Sequence, residues 1–161
     1  MHSLVEELSL LLLQKNMVMT TAESCTGGLI GAAMTERAGS STLYDRGFIT
    51  YSNQSKIDLL GVSPHTLEKF GAVSEQTAAE MAQGALKNST ATIAVSVTGI
   101  AGPSGGSVEK PVGLVYIGIA LKDGHTDVVK NLFDGDRASI RQATVEKALE
   151  LLIEALETKI A

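Results

Sequence analysis

Tryptophan is absent from this chain of 161 residues, cysteine occurs once, and aromatic residues amount to only 4%. The single Cys25 excludes an intrachain disulfide and points to a reducing compartment. With so few aromatic rings, the core has to be built from Leu, Ile, Val and Ala. No run of Lys and Arg interrupts a formal net charge of -5, so a basic face for sequence-independent binding of DNA or RNA is not expected. The apolar stretch Leu10 to Leu13 stops at Gln14, far short of a bilayer span. The first residues, Met1 to Glu7, lack the basic start of a secretion signal. A cytoplasmic protein without membrane contact is therefore expected. Asn53-Gln54-Ser55 and Asn88-Ser89-Thr90 match the glycosylation pattern but carry no weight without such a signal. His2, His65 and His125 are scattered, and with Cys25 they offer no metal-ligand spacing. Neither a metal nor another cofactor is expected.

What is present suits one compact unit. Hydrophobic residues make up 44% and charged residues 19%, ordinary values for a globular chain. The length fits a single domain over residues 1–161. A chain of this size buries roughly 70% of the surface its unfolded form exposes. The patterning predicts a helix over Leu4 to Lys15 with Ser3 as its cap, a strand over Met17 to Thr21, and a helix over Thr26 to Arg37. A strand over Arg46 to Ser52 follows, then a short helix to Leu60 capped by Asn53 or Ser55. Ser63-Pro64 marks another helix start, since proline loses nothing in a first turn. Ser74 to Asn88 reads as a helix and the β-branched Thr92 to Thr98 as a strand. Leu114 to Leu121 is apolar enough to be buried on both faces. Asp123-Gly124 is a hairpin turn leading into a strand near Thr126 to Phe133. Ile140, Val145, Leu149, Leu152 and Leu156 form the stripe of a final helix, Arg137 to Lys159. Alternating strands and helices with a late hairpin predict an α/β fold, a three-layer αβα domain around a mixed sheet.

Three clusters carry residues suited to chemistry. The first is Thr20 to Gly28, where a strand gives way to a helix. Helix starts expose unpaired N–H groups that can hold a phosphate or a developing oxyanion. Ser24 sits at that junction either as a nucleophile or, with Thr26, as a helix cap. The second cluster, Arg46 to Lys56, crosses from strand to helix and includes Tyr51. Lys56 there is a candidate base if the site desolvates it, or else a solvated helix lysine. The third, Thr98 to Gly113, is glycine-rich and includes Gly99 and Gly102. It is neither a Walker loop nor a dinucleotide fingerprint, and reads equally as a ligand loop or a mobile surface loop.

Taken in order, Thr21-Ala22-Glu23-Ser24-Cys25-Thr26-Gly27-Gly28, Gly47-Phe48-Ile49-Thr50-Tyr51-Ser52-Asn53, Gly71-Ala72-Val73-Ser74, Gly99-Ile100-Ala101-Gly102-Pro103, Lys110-Pro111-Val112-Gly113 and Gly135-Asp136-Arg137 resemble the CinA C-terminal domain family over nearly the whole chain. Members of that family are similar to nicotinamide-nucleotide amidohydrolases, which convert nicotinamide mononucleotide to nicotinic acid mononucleotide and ammonia. The resemblance implies a serine–lysine pair at Ser24 and Lys56, with supporting roles for Ser41, Tyr51, Thr98 and Arg137. It also implies a small-molecule nucleotide substrate and a homodimer or higher oligomer. Within that reading, amides from Cys25 through Thr26 to Gly27 are expected to form the oxyanion hole. Arg137 and the loop from Gly102 to Gly106 are expected to meet the phosphate, and Tyr51 either relays protons or packs on the ring. A non-catalytic nucleotide-binding module and a competence or DNA-repair partner are the alternatives.

Overall fold

The apolar stretches and their punctuation resolve, in a computed structural model that describes residues 1–159, into six helices, a short 3-10 turn and five strands. In chain order they are α1 (His2–Gln14), β1 (Met19–Glu23), α2 (Leu29–Thr35), the 3-10 turn Ser40–Thr42, β2 (Tyr44–Ile49), α3 (Asn53–Leu60), α4 (Pro64–Phe70), α5 (Glu75–Lys87), β3 (Ile93–Gly99), β4 (Leu114–Leu121), β5 (Thr126–Leu132) and α6 (Arg137–Thr158). The strands form one sheet in the order β2-β1-β3-β4-β5. Strands β2, β1 and β3 run parallel, whereas β4 and β5 run antiparallel to their neighbours. The mixed three-layer architecture expected from the sequence is the one observed.

Side-chain alternation along β3 explains the layering. Ile93, Val95 and Val97 belong to the larger core, with residues of α1, α2 and α6. On the opposite face, Ala94 joins a smaller cluster with Met81 and Ala85 of α5. There Ser96 Oγ donates to the Ala78 carbonyl at 2.6 Å. Small and hydroxylated residues on that face let α5 come close. A side chain at Gly118 would reach within 2.8 Å of the same carbonyl, and one at Gly84 would run into the Leu60 carbonyl of α3.

Several boundaries differ from the sequence expectation. Ser3 lies inside α1, which starts at His2 without a side-chain cap. β1 begins and ends two residues later than Met17 to Thr21, and β2 stops at Ile49 rather than Ser52. α2 starts only at Leu29, because residues 25–28 form a turn in which Gly27 and Gly28 have φ of +59° and +105°. α3 is capped by Ser52, whose Oγ accepts from the Ser55 amide at 3.1 Å, and not by Asn53 or Ser55. Pro64 and Ser74 occupy the starts of α4 and α5 as expected.

The sequence order also creates a crevice. β1 leads to β2 on one side, and the chain then returns past β1 to β3 on the other. Such reversals open a cleft at the carboxyl ends of the parallel strands. Ser24 follows β1, Thr50 and Tyr51 follow β2, and Gly99 ends β3, so all four reach the same edge of the sheet.

Candidate active site

β1 fixes Ser24 at the cleft. The Ser24 amide donates to the Val97 carbonyl of β3 at 3.1 Å, continuing the ladder one residue past the strand. The preceding residue, Glu23, is only 1% exposed. Its carboxylate accepts from Thr26 Oγ1 at 2.7 Å and from the Ile30 and Gly31 amides at 2.9 and 3.1 Å. A buried carboxylate thus satisfies the start of α2 and braces the turn that carries Ser24. The chain's own carboxylate occupies amides at the start of α2 that could otherwise hold an anion. Ser24 does not cap α2.

Lys56 arrives from the other parallel strand. The Thr50 amide donates to the Glu23 carbonyl at 2.9 Å, tying the end of β2 to β1. The first turn of α3 then folds Lys56 back beneath that junction. Its Nζ lies 3.0 Å from Ser24 Oγ, 2.7 Å from the Thr50 carbonyl and 3.2 Å from the Tyr51 carbonyl. The side chain is 1% exposed and no carboxylate pairs with it among the described residues. Burial disfavours the ammonium and lowers its pKa to about 8. Cys25, next to the serine, is buried and its thiol is pushed up to about 11, again chiefly by burial. A thiol held protonated is a poor nucleophile.

Around this pair lies a cavity of about 200 Å³, lined by Ser24, Cys25, Tyr51, Lys56, Ala72, Val73, Thr98, Gly99, Ala101 and Arg137. Hollows of about 470 and 520 Å³ occur along α5, but neither is lined by Ser24 or Lys56. Of the residues expected from the sequence, the cavity gathers Ser24, Lys56, Tyr51, Thr98, Gly99 and Arg137. Thr98 Oγ1 donates to the Ala72 carbonyl at 2.8 Å and so holds the wall. Arg137 donates to the Gly102 carbonyl at 2.8 Å and to the Tyr51 hydroxyl at 3.2 Å.

Four expected residues lie outside the lining. Thr26 is buried with its hydroxyl on Glu23. Gly27 gives its amide to the Ser24 carbonyl at 3.1 Å, which removes it from the expected oxyanion donors. Gly102 meets Arg137 through its carbonyl and does not face the cavity. Ser41 is exposed in the 3-10 turn before β2, at the opposite end of the strand from the cleft. Sequence reasoning did not single out Glu23 or Arg141. A carboxylate just ahead of a helix start was a signal for the first, and an arginine one turn after Arg137 for the second.

A family model of the CinA C-terminal domain matches residues 1–156. The chain belongs to the CinA C-terminal domain family. Within that family it is 56% identical over 146 residues to the nicotinamide-nucleotide amidohydrolase PncC of Enterobacter agglomerans, covering 90% of this chain and 89% of the relative. It is 54% identical to a putative competence-damage inducible protein of Caldicellulosiruptor saccharolyticus over 88% of this chain, but spans only 34% of that relative. Among solved structures it resembles the competence/damage inducible protein CihA from Agrobacterium tumefaciens, with a TM-score of 0.94 and 51% identity, covering 98% of this chain and 95% of the other. It also resembles a CinA superfamily protein from Escherichia coli, with a TM-score of 0.91 and 36% identity over 95% of this chain and 88% of the other.

Proposed function

We propose that this chain hydrolyses the amide of nicotinamide mononucleotide to nicotinic acid mononucleotide and ammonia, with Ser24 as nucleophile and Lys56 as general base. The Enterobacter relative named for that activity supplies the substrate class. The observation that carries the chemistry is the surroundings of the Lys56 amine. A neutral amine has two hydrogens and one lone pair. Two carbonyls, of Thr50 and Tyr51, take the hydrogens, and the third direction is Ser24 Oγ. The lone pair therefore faces the proton it has to accept.

The steps balance with water as the only co-reactant. Ser24 Oγ attacks the amide carbon while its proton passes to Lys56 Nζ. The resulting ammonium returns that proton to the leaving nitrogen as the C–N bond breaks, releasing ammonia and leaving an acyl-serine. A water, deprotonated by Lys56, then attacks the acyl carbon and frees the acid and Ser24. The tetrahedral oxyanion needs N–H donors. Among the described residues the amide of Cys25, which lines the cavity, gives no backbone hydrogen bond, unlike that of Gly27. At about 200 Å³ the cavity is smaller than the roughly 300–1,000 Å³ of sites that enclose a drug-sized ligand. It suits the ring and amide, with ribose and phosphate at the mouth beside Tyr51 and Arg137, both exposed. Tyr51 in this reading walls the ring.

Incubation of purified protein with the mononucleotide, followed by ammonia and product analysis, tests the reaction. Ser24→Ala is expected to abolish ammonia release and to leave the circular dichroism spectrum and unfolding midpoint near those of the wild type. A well-folded variant that still releases ammonia at a substantial rate contradicts the nucleophile. A wild-type protein that binds the nucleotide without turning it over favours the non-catalytic alternative.

A further inference from the structure

The cavity holds two cationic side chains, the buried Lys56 and the exposed Arg137, and no Asp or Glu lines it. The charged and titratable groups around Lys56 are committed elsewhere. Glu23 of β1 gives its carboxylate to Thr26 Oγ1 and to the Ile30 and Gly31 amides. Asp58 of α3 accepts from Gln54 Nε2, and Glu80 of α5 accepts from the Ser63 amide and Thr66 Oγ1. Arg141 of α6 donates to the Cys25 and Thr26 carbonyls at 3.0 and 3.1 Å. The Tyr51 hydroxyl accepts from Arg137, and burial keeps the Cys25 thiol protonated up to about 11. Lys56 Nζ itself meets only neutral atoms, two carbonyls and the Ser24 hydroxyl. A buried cation without a counterion is costly, and an incoming anion relieves that cost.

We infer that the cavity is a carboxylate site, so that the acid product binds against Lys56 in preference to the amide substrate and restrains turnover. The inference rests on the reading of Ser24 as nucleophile and Lys56 as base. For attack, the amide carbon has to come within reach of Ser24 Oγ, which lies 3.0 Å from Lys56 Nζ. Lys56 also has to reach the leaving nitrogen in order to protonate it. When ammonia has left and water has added, a carboxylate oxygen stands where that nitrogen stood. Out of bulk water, opposite charges at such a distance attract far more strongly than in solvent. The substrate ring is a cationic pyridinium, so the amide brings positive charge to a site that already holds two cations. The carboxylate of the product offsets that charge. The pH dependence follows from Lys56. With its pKa lowered to about 8 by burial, most molecules carry the ammonium at pH 7. The acid therefore binds best near neutrality and loses its advantage as Lys56 becomes neutral, while repulsion of the substrate eases over the same range.

The test is isothermal titration of Ser24→Ala, which retains Lys56 and is expected not to turn substrate over, with nicotinamide mononucleotide and with nicotinic acid mononucleotide at about pH 7 and pH 9.5. The acid is expected to bind about tenfold more tightly than the amide at the lower pH, and most of that preference is expected to vanish at the higher one. The phosphate is common to both ligands, so its ionisation cancels in the comparison. Binding of the acid near pH 9 is expected to take up protons as Lys56 recharges, seen as a heat that varies with the buffer. Ser24→Ala with Lys56→Met fills the same space without charge and is expected to bind the two ligands within about twofold of each other. In the wild type, the acid is expected to inhibit competitively, with an inhibition constant below KM at pH 7. Equal affinities at pH 7, or a preference that survives in the double variant, overturns the inference. Should the double variant not fold, the pH comparison carries the decision: a preference unchanged between pH 7 and 9.5 overturns it. Failure of this kind leaves the dyad intact, whereas full ammonia release by Ser24→Ala sinks the underlying reading instead.

Discussion

At Lys56 the same burial that makes a base also weakens the fold, and both effects ease in the same direction, as pH rises. With a pKa of about 8, about a tenth of molecules carry the neutral amine at pH 7. The rate of ammonia release is therefore expected to rise with pH through about 8 and then level off. Lys56→Arg keeps a cation but stays protonated at any working pH, so a fall in kcat of at least about a hundredfold is expected, close to that of Lys56→Ala. Arg at wild-type rate would mean that position 56 anchors charge and that the proton goes elsewhere. For stability, the folded pKa lies below the ordinary 10.5. The unfolded chain thus binds the extra proton between about 8 and 10.5, and the contribution of Lys56 to stability improves as pH rises across that window. That Ser24 and Lys56 share one cavity was legible because each fell in a cluster at a strand-to-helix junction and the family resemblance paired them. The Thr50 and Tyr51 carbonyls that orient the amine were not legible, since every residue has a carbonyl and only the folded path of β2 selects these two. Glu23 and Arg141 escaped for a related reason: their partners are backbone groups of other elements.

Helices and strands were legible where a period ran for two turns or an apolar stretch was bounded by turn residues, as in β4 and α6. Boundaries shifted where tertiary contacts outweighed local preference. The helix expected from Thr26 starts only at Leu29, because Glu23 and Arg141 hold residues 25–28 as a turn. Ser52, not Asn53, caps α3 because β2 ends early enough to leave Ser52 in extended backbone. Capping is also where an element-scale test lies. Ser74 Oγ accepts from the Thr77 amide at 3.2 Å and donates to the Gly71 carbonyl at 2.9 Å. It therefore starts α5 and closes the turn whose Ala72 and Val73 line the cavity. Ser74→Ala is expected to cost about 1 kcal/mol, lowering the unfolding midpoint by about 2–4 °C. KM should rise as the wall loosens, and Ser74→Thr should retain both values. Calorimetry and substrate titration check this; an unchanged midpoint would show the cap to be dispensable.

For the molecule as a whole, the exposed apolar residues argue for self-association. Leu10 and Leu13 of α1 are 54% and 49% exposed, and Ile49 and Leu132 on the two edge strands are 56% and 64% exposed. A dimer or larger assembly is expected at micromolar concentration, and sedimentation velocity would show a monomer if this is wrong. The way the serine and lysine are mounted has a different consequence. Ser24 hangs from β1, which is buried along its whole length and paired on both sides. Lys56 rides α3, eight residues long and too short to persist without tertiary support. The two halves of the dyad therefore belong to parts of the molecule that open with different free energies. On warming, ammonia release is therefore expected to fail while the sheet is still intact, with the short helix α3 rather than the melting of the fold setting the working life of the site.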